Sequence, residues 1–344
     1  MSGKKYFAAS NTSKGFVSYF GENFRERAER CYIIKGGPGT GKSRLMHEMA
    51  DAFQQAGGEV EYYYCSSDPS SLDGLYVTCD GYSVAIMDGT APHAEDISSP
   101  GTEDNLIDLG RFWDARILRL RKSEIDAWVR KKKSAYASAY RALSAYGSLT
   151  EAADALAIDA VDIGAISDEC SRLARDMQRD RLLRTPISAV GMKGMVAFDS
   201  FSESAQLALS LTDSRGYCIS HIYFESLVRA VGGGRVAPHP IMPSRYCAIL
   251  AGDVSITEMS VSVADDKVLD VAEFVDRSVY LMQKERIEHL RTLANGSLGE
   301  ALGFFAEAGE AHMKIEEIFI SAMNFADKEA YSRDLCDKIR KGDL

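Results

Sequence analysis

The sequence predicts an α/β protein, a parallel sheet followed by a helical hairpin and then a second, degenerate copy of the same arrangement. Three observations predict it. A strand, a glycine-rich turn, a helix and another strand follow one another between residues 31 and 65. Two stretches, 101–185 and 244–344, lack proline and carry helical periodicity. Short blocks of similar residues recur in the same order in both parts of the chain.

The elements follow in order. Cys31-Tyr-Ile-Ile-Lys35, Glu59-Val-Glu-Tyr-Tyr-Tyr-Cys65 and Tyr82-Ser-Val-Ala-Ile-Met87 are β-branched or aromatic runs bounded by Gly, Asp and Pro, which is strand chemistry. Between the first two, Lys42 to Gln55 has helical spacing and ends at Gly57-Gly58. Strand, helix, strand makes a βαβ unit, and such a crossover gives a parallel sheet. In the proline-free stretches, Ile107, Phe112, Trp113, Ile117, Leu120 and Ile125 recur at helical intervals, as do Val271, Phe274, Val275, Val279, Met282 and Ile287. Helix interiors exclude proline, so each stretch is expected to hold at least two long helices. These form hairpins over about 104–185 and 266–340, the second breaking near Asn295-Gly296.

The repeat rests on three blocks. Lys14-Gly-Phe-Val17 recurs as Lys193-Gly-Met-Val196, Tyr82–Gly89 resembles Tyr246–Gly252, and Ile107–Asp114 resembles Leu269–Asp276. Two halves are expected, 1–185 and 186–344.

Composition narrows the function. Of 344 residues, 46% are hydrophobic and 26% charged, a globular balance that excludes wholesale disorder. A net charge of −10 argues against nucleic acid or an anionic membrane as the main partner. No apolar run approaches the roughly 18 residues of a membrane span, and MSGKKYFAAS lacks the hydrophobic stretch of a signal peptide. The seven cysteines are scattered without a Cys-x-x-Cys pair, as expected of reduced thiols and a cytoplasmic location.

The strongest chemical signal is Gly36-Gly37-Pro38-Gly39-Thr40-Gly41-Lys42-Ser43, which satisfies G-x-x-x-x-G-K-[ST] in full. Glycines let the backbone turn its N–H groups onto phosphate oxygens, and the following helix aims its positive end at the same anions. Lys42 supplies a compact cation for the β- and γ-phosphates, and Ser43 a hydroxyl for Mg2+. The motif makes the expected fold of P-loop NTPase type. Asp88 ends an apolar strand beyond the loop and is the expected carboxylate for the metal. Its successor is Gly89, whereas hydrolytic engines of the AAA+ type place a glutamate there.

Asp68 follows the second strand at its carboxyl end, where it could act as a base or merely form an Asp-Pro turn. His93 lies just past the Asp88 strand and could reach the same rim. Arg116, Arg119, Arg121, Lys122 and Arg130-Lys-Lys-Lys133 form a basic run. It reads as a solvated face, as the source of an arginine for the γ-phosphate or as a dock for an acidic partner. With Tyr136 and Tyr140 nearby, nucleic acid is the less favoured fourth reading. In the second half no such loop recurs. The repeat places its equivalent near Tyr217–Ser226, with Glu225 where Lys42 stands and Ala251 where Asp88 stands. An acid in place of the lysine would repel phosphate, so this half is expected to serve as scaffold or partner-binding domain.

Ile34–Ser43, Cys65–Gly74, Ala85–His93 and Phe112-Trp-Asp114 resemble a bacterial family of duplicated P-loop ATPase-like proteins. The resemblance covers most of the chain and implies ATP binding with tandem halves, a loop in each; this chain departs from it in the second half. The expected function is an ATP–Mg2+-binding nucleoside triphosphatase that couples binding or hydrolysis to movement of the hairpins. The partner is an unidentified protein or small molecule. The alternatives are a small-molecule kinase with Asp68 as base, and a nucleotide-dependent interaction switch with negligible turnover.

Overall fold

The computed structural model describes residues 3–92, 95–258 and 268–341. In its first part the chain forms β1 (Lys4–Phe7), the hairpin β2 (Ala9–Thr12) and β3 (Gly15–Ser18), and β4 (Arg30–Lys35). Then come α1 (Lys42–Gln55), β5 (Glu59–Tyr64), β6 (Leu72–Cys79), β7 (Tyr82–Asp88) and β8 (Asp104–Asp108). Three helices follow, α2 (Ala115–Leu120), α3 (Lys122–Ala157) and α4 (Ile163–Leu173).

The second part runs through β9 (Leu183–Arg184), β10 (Ser188–Gly191), β11 (Gly194–Ala197), α5 (Ser200–Ser204), β12 (Leu207–Thr212) and α6 (Ser220–Val231). It continues with β13 (Arg235–Pro238), β14 (Tyr246–Ala251), β15 (Val254–Glu258) and β16 (Val268–Asp270), and ends in α7 (Arg277–Ile320) and α8 (Phe325–Lys341).

The architecture is α/β, with two six-stranded sheets among the described residues. The first has the order β1-β5-β6-β7-β4-β8 and the second β9-β13-β14-β15-β12-β16. Position by position the two sheets share strand order and direction. Both are mixed rather than parallel: five strands run one way, while β6 in the first sheet and β14 in the second run against them. The reason is local. β6 and β7 are joined by Asp80-Gly81, both at positive φ (49° and 83°), the two-residue turn that right-twisted hairpins favour. Leu72-Asp73-Gly74 looks like a turn in sequence but is the start of β6.

The sheets pack face to face. Tyr6, Ile33, Tyr63 and Met87 of the first meet Ala237 and Ala248 of the second in one buried cluster, which Phe24, Ile187 and Phe201 from the flanking segments complete. Glu61 in this interface accepts from Arg27 at 2.8 Å and also pairs with Arg235 of the second sheet. The outer face of the first sheet is covered by α1 and α8, and that of the second by α4 and α6.

The hairpins differ from expectation. α3 does not fold back against α4, nor α7 against α8; the two long helices pair with each other instead. Their seam holds Ala139, Leu143, Ala301 and Phe305. Each terminal helix then packs on the other half: α8 on α1 and α4 on α6. Reciprocal hydrogen bonds fix both crossovers, Asp114 N–H to Ala322 O and Asn324 N–H to Phe112 O (2.8 and 2.9 Å). Asp162 N–H to Phe274 O and Asp276 N–H to Ala160 O (both 2.8 Å) match them on the other side. Leu183–Arg184, placed in the first half by sequence, is an edge strand of the second sheet. The expected break at Asn295-Gly296 is absent, since α7 continues unbroken from Arg277 to Ile320.

Candidate functional site

The candidate loop connects β4 to α1, with β7 and β8 on either side of β4. Gly39 and Gly41 adopt φ of 71° and 78°, the left-handed region that glycine enters without strain. Thr40, fully buried, donates to Gly37 O at 2.9 Å, and Thr90 donates to Gly36 O at 2.8 Å. Lys42 Nζ lies 2.8 Å from Gly36 O and 3.0 Å from Gly37 O, and 3.5 Å from Asp88 Oδ2. The cation is thus folded back on its own loop.

Asp88 ends β7 opposite Ile34 and is buried, its Oδ1 accepting from Thr90 N–H at 2.8 Å. Burial pushes its carboxyl above the ordinary value; Lys42 opposes the shift and Asp73 adds to it. Asp73 is a neighbour that the sequence reading overlooked. One step beyond the Gly74–Met87 pair of the antiparallel register, it lies opposite Asp88 and is only 4% exposed. Ser43 Oγ accepts from Leu72 N–H at 3.0 Å, which ties the start of α1 to β6.

These are hard oxygen donors suited to Mg2+, which usually takes one or two protein ligands and completes its shell with water and phosphate. Among the described residues no group of three or more His, Cys, Asp or Glu side chains is placed to hold a metal. The Ser43 hydroxyl and the Asp88 carboxylate are oxygen donors of that kind beside the loop.

Residues far away in sequence complete the site. The last turns of α7 sit on the loop: a Cβ on Gly39 would lie 2.8 Å from Ile320 Cγ1 and 3.0 Å from Glu316 O. Gly37 faces Trp113, which packs on Phe319 with ring centroids 5.2 Å apart. Lys328 of α8, 1% exposed, has its ammonium 3.6 Å from where a Gly41 Cβ would stand, and pairs with Glu48 at 3.8 Å.

From the basic run, only Lys132 turns inward. It donates to His312 Nδ1 on α7 at 2.9 Å, and burial, with the charge of Lys42 adding to it, pushes its ammonium below the ordinary value. Burial, with Lys132 beside it, pushes His312 down to about 4, so the imidazole is neutral and can accept that bond. Arg130, Lys131 and Lys133 are exposed, and Arg121 and Lys122 pair with Glu124 and Asp126 of their own helix. Spacing could not single out Lys132, because the choice is made by α7, some 180 residues away in the chain.

The remaining candidates fare unevenly. Asp68 lies in a turn, where burial disfavours its charge but Ser70 and Lys193 outweigh that and hold the carboxyl below the ordinary value. A carboxylate so stabilised is a weak base. His93 lies outside the described residues. Tyr136 and Tyr140, both half-buried, pack edge-on against Phe305 and donate to Ser67 and Asn11, both at 2.8 Å.

In the second half, two placements made by residue likeness are overturned. Glu225 is an exposed residue in the middle of α6, not at the position of Lys42. Ala251 ends β14, the counterpart of β6; the counterpart of β7 is β15. Ile34 pairs with Asp88 and Leu211 with Glu258, so Glu258 stands where Asp88 does.

Protein-family models, curated proteins and solved structures gave no match to this chain. Among the described residues, no helix is long and apolar enough to cross a membrane.

Proposed function

We propose that residues 36–43 bind a nucleoside triphosphate, ATP, with Mg2+, and that binding or hydrolysis there moves the helical arms α3, α7 and α8. The observation that carries this reading is the seating of the α7 end on Gly39, with Lys42 and Lys328 at the loop and Lys132 of a third helix close enough to feel the charge of Lys42. A polyanion placed among three cations and the amino end of α1 is stabilised by all of them. Bound magnesium would neutralise charge on the phosphate oxygens as the terminal bond breaks.

The chain's own residues then have distinct tasks. Backbone amides of Gly36 to Gly41, with Pro38 shaping the turn, cradle the phosphates. Lys42 leaves the carbonyls of Gly36 and Gly37 to meet phosphate oxygens. Ser43 and Asp88 hold the metal. Lys132 transfers its N–H from His312 to the terminal phosphate, which links loop occupancy to the seam between α3 and α7. Gly89, with no acid after Asp88, supports slow turnover, and that favours a nucleotide-dependent interaction switch as the second reading.

ATP hydrolysis tests both. The triphosphatase reading expects steady hydrolysis that Lys42→Ala abolishes and Lys132→Ala slows by about 100-fold, the order seen when one charge-stabilising donor is removed. Tight ATP binding without turnover points to the switch. Hydrolysis unchanged in Lys42→Ala contradicts the assignment of the loop.

A further inference from the structure

The second half contains a loop built like the first. Lys35 pairs with Asp108 at the end of β4, and Thr212 pairs with Asp270 at the end of β12. Counting on from those two residues, Asp213 falls at Gly36, Gly216 at Gly39, Cys218 at Gly41, Ile219 at Lys42 and Ser220 at Ser43. The backbone agrees. Gly216 has φ of 69° against 71° for Gly39, and Cys218 has 58° against 78° for Gly41. Cys218 is one of two described non-glycine residues at positive φ, a conformation an L side chain rarely adopts without a reason.

Six of the eight side chains differ between the loops, and the changes at Ile219 and Asp213 alter the chemistry most. Ile219, 2% exposed, replaces the phosphate lysine. Ser220 keeps the hydroxyl and donates it to Glu258, the residue at the position of Asp88. Asp213 turns its carboxylate into the loop, where Oδ2 accepts from Cys218 N–H. That amide is the counterpart of the Gly41 amide in the proposed phosphate cradle. Arg291 of α7 closes the other side by donating to Gly216 O at 2.9 Å and to Tyr217 O. A cavity of about 370 Å3 remains beside the loop, lined by Thr150, Asp154, His239 and Arg245 among others.

We propose that residues 213–220 are a second phosphate-type cradle whose anion position is filled by the protein's own Asp213 carboxylate, so that a polyphosphate is excluded and only the first half exchanges its occupant. The proposal rests on reading 36–43 as a nucleotide loop. A carboxylate on the amide stands in for a phosphate oxygen, since both are anions that accept charge-assisted hydrogen bonds. The second half is then held in the arrangement of a filled loop.

Calorimetric titration of magnesium pyrophosphate tests it in a Lys42→Ala background, which removes the first site. That background should show no binding. Adding Asp213→Gly and Ile219→Lys should produce measurable binding, at least about tenfold tighter than the weakest affinity the titration can detect, because it frees the amide and supplies a cation for the anion. Pyrophosphate binding in the Lys42→Ala background, or no gain in a triple variant that melts like its parent, overturns the proposal. Should the triple variant not fold, hydrogen exchange at the Cys218 amide decides. Asp213→Ala should accelerate it at least about tenfold by removing the acceptor, and an unchanged rate overturns the proposal. Failure of the unmodified chain to bind ATP would refute the first-site reading without touching these outcomes.

Discussion

Lys42 holds its ammonium against the carbonyls of Gly36 and Gly37, an arrangement that an incoming phosphate would have to displace under the proposed function. If Asp88 holds magnesium as proposed, it adds a pH dependence. Burial raises its carboxyl above 3.8, and metal binding requires the ionised form. Magnesium-dependent nucleotide affinity is therefore expected to decline, as pH is lowered, sooner than a solvated aspartate would allow. Binding isotherms across that range check this, and Asp88→Asn should weaken magnesium-dependent binding and remove this pH dependence.

Glu61 behaves in the opposite sense. Burial disfavours its charge, but Arg235 and Arg27 outweigh that and hold the carboxyl below 4.5. A depressed folded value stabilises the fold fully above about 4.5 and loses that contribution as pH falls through it. Glu61→Gln should cost about 3 kcal/mol near neutrality, because it leaves two guanidinium groups short of a buried partner. Denaturant melts should show that loss shrinking toward low pH.

At the scale of elements, the strand, loop and helix around residues 36–43 were legible because their signals are local: glycines, lysine and serine at fixed spacing between a strand and a helix. The inserted strand β6 was not. Asp73-Gly74 and Asp80-Gly81 have the same composition, yet the first lies in a strand and only the second makes the turn. The same gap misaligned the second half, since buried apolar strands look alike and β14 was matched to β7 in place of β15.

Asn295-Gly296 misled for a related reason. Both residues stay helical because the seam with α3 holds α7 along its length, and tertiary packing overrides a weak local preference. A Cβ on Gly296 would meet nothing within 4 Å. Gly296→Ala is accordingly expected to stabilise the protein by about 0.5–1 kcal/mol, read from a denaturant melt; destabilisation would mean that the helix needs flexibility there.

At the scale of the whole molecule, each sheet is covered by a helix that the chain reaches through the other half. Sequence periodicity can show that helices exist, but an amphipathic face does not name its partner, so the exchange of α4 and α8 was invisible. The exchange matters for the proposed function, because α7 and α8 bring Glu316, Ile320 and Lys328 onto a loop encoded some 280 residues earlier. The same exchange on the other side brings Asp154 of α3 beside the second cradle. The two halves are therefore alike in plan and unlike in chemistry: one loop carries a lysine over glycines, the other an isoleucine over its own carboxylate. Titration of the unmodified chain with ATP and magnesium by calorimetry tests this asymmetry most directly. The account predicts one nucleotide per chain and none in Lys42→Ala; two per chain, or none in the unmodified protein, would contradict it.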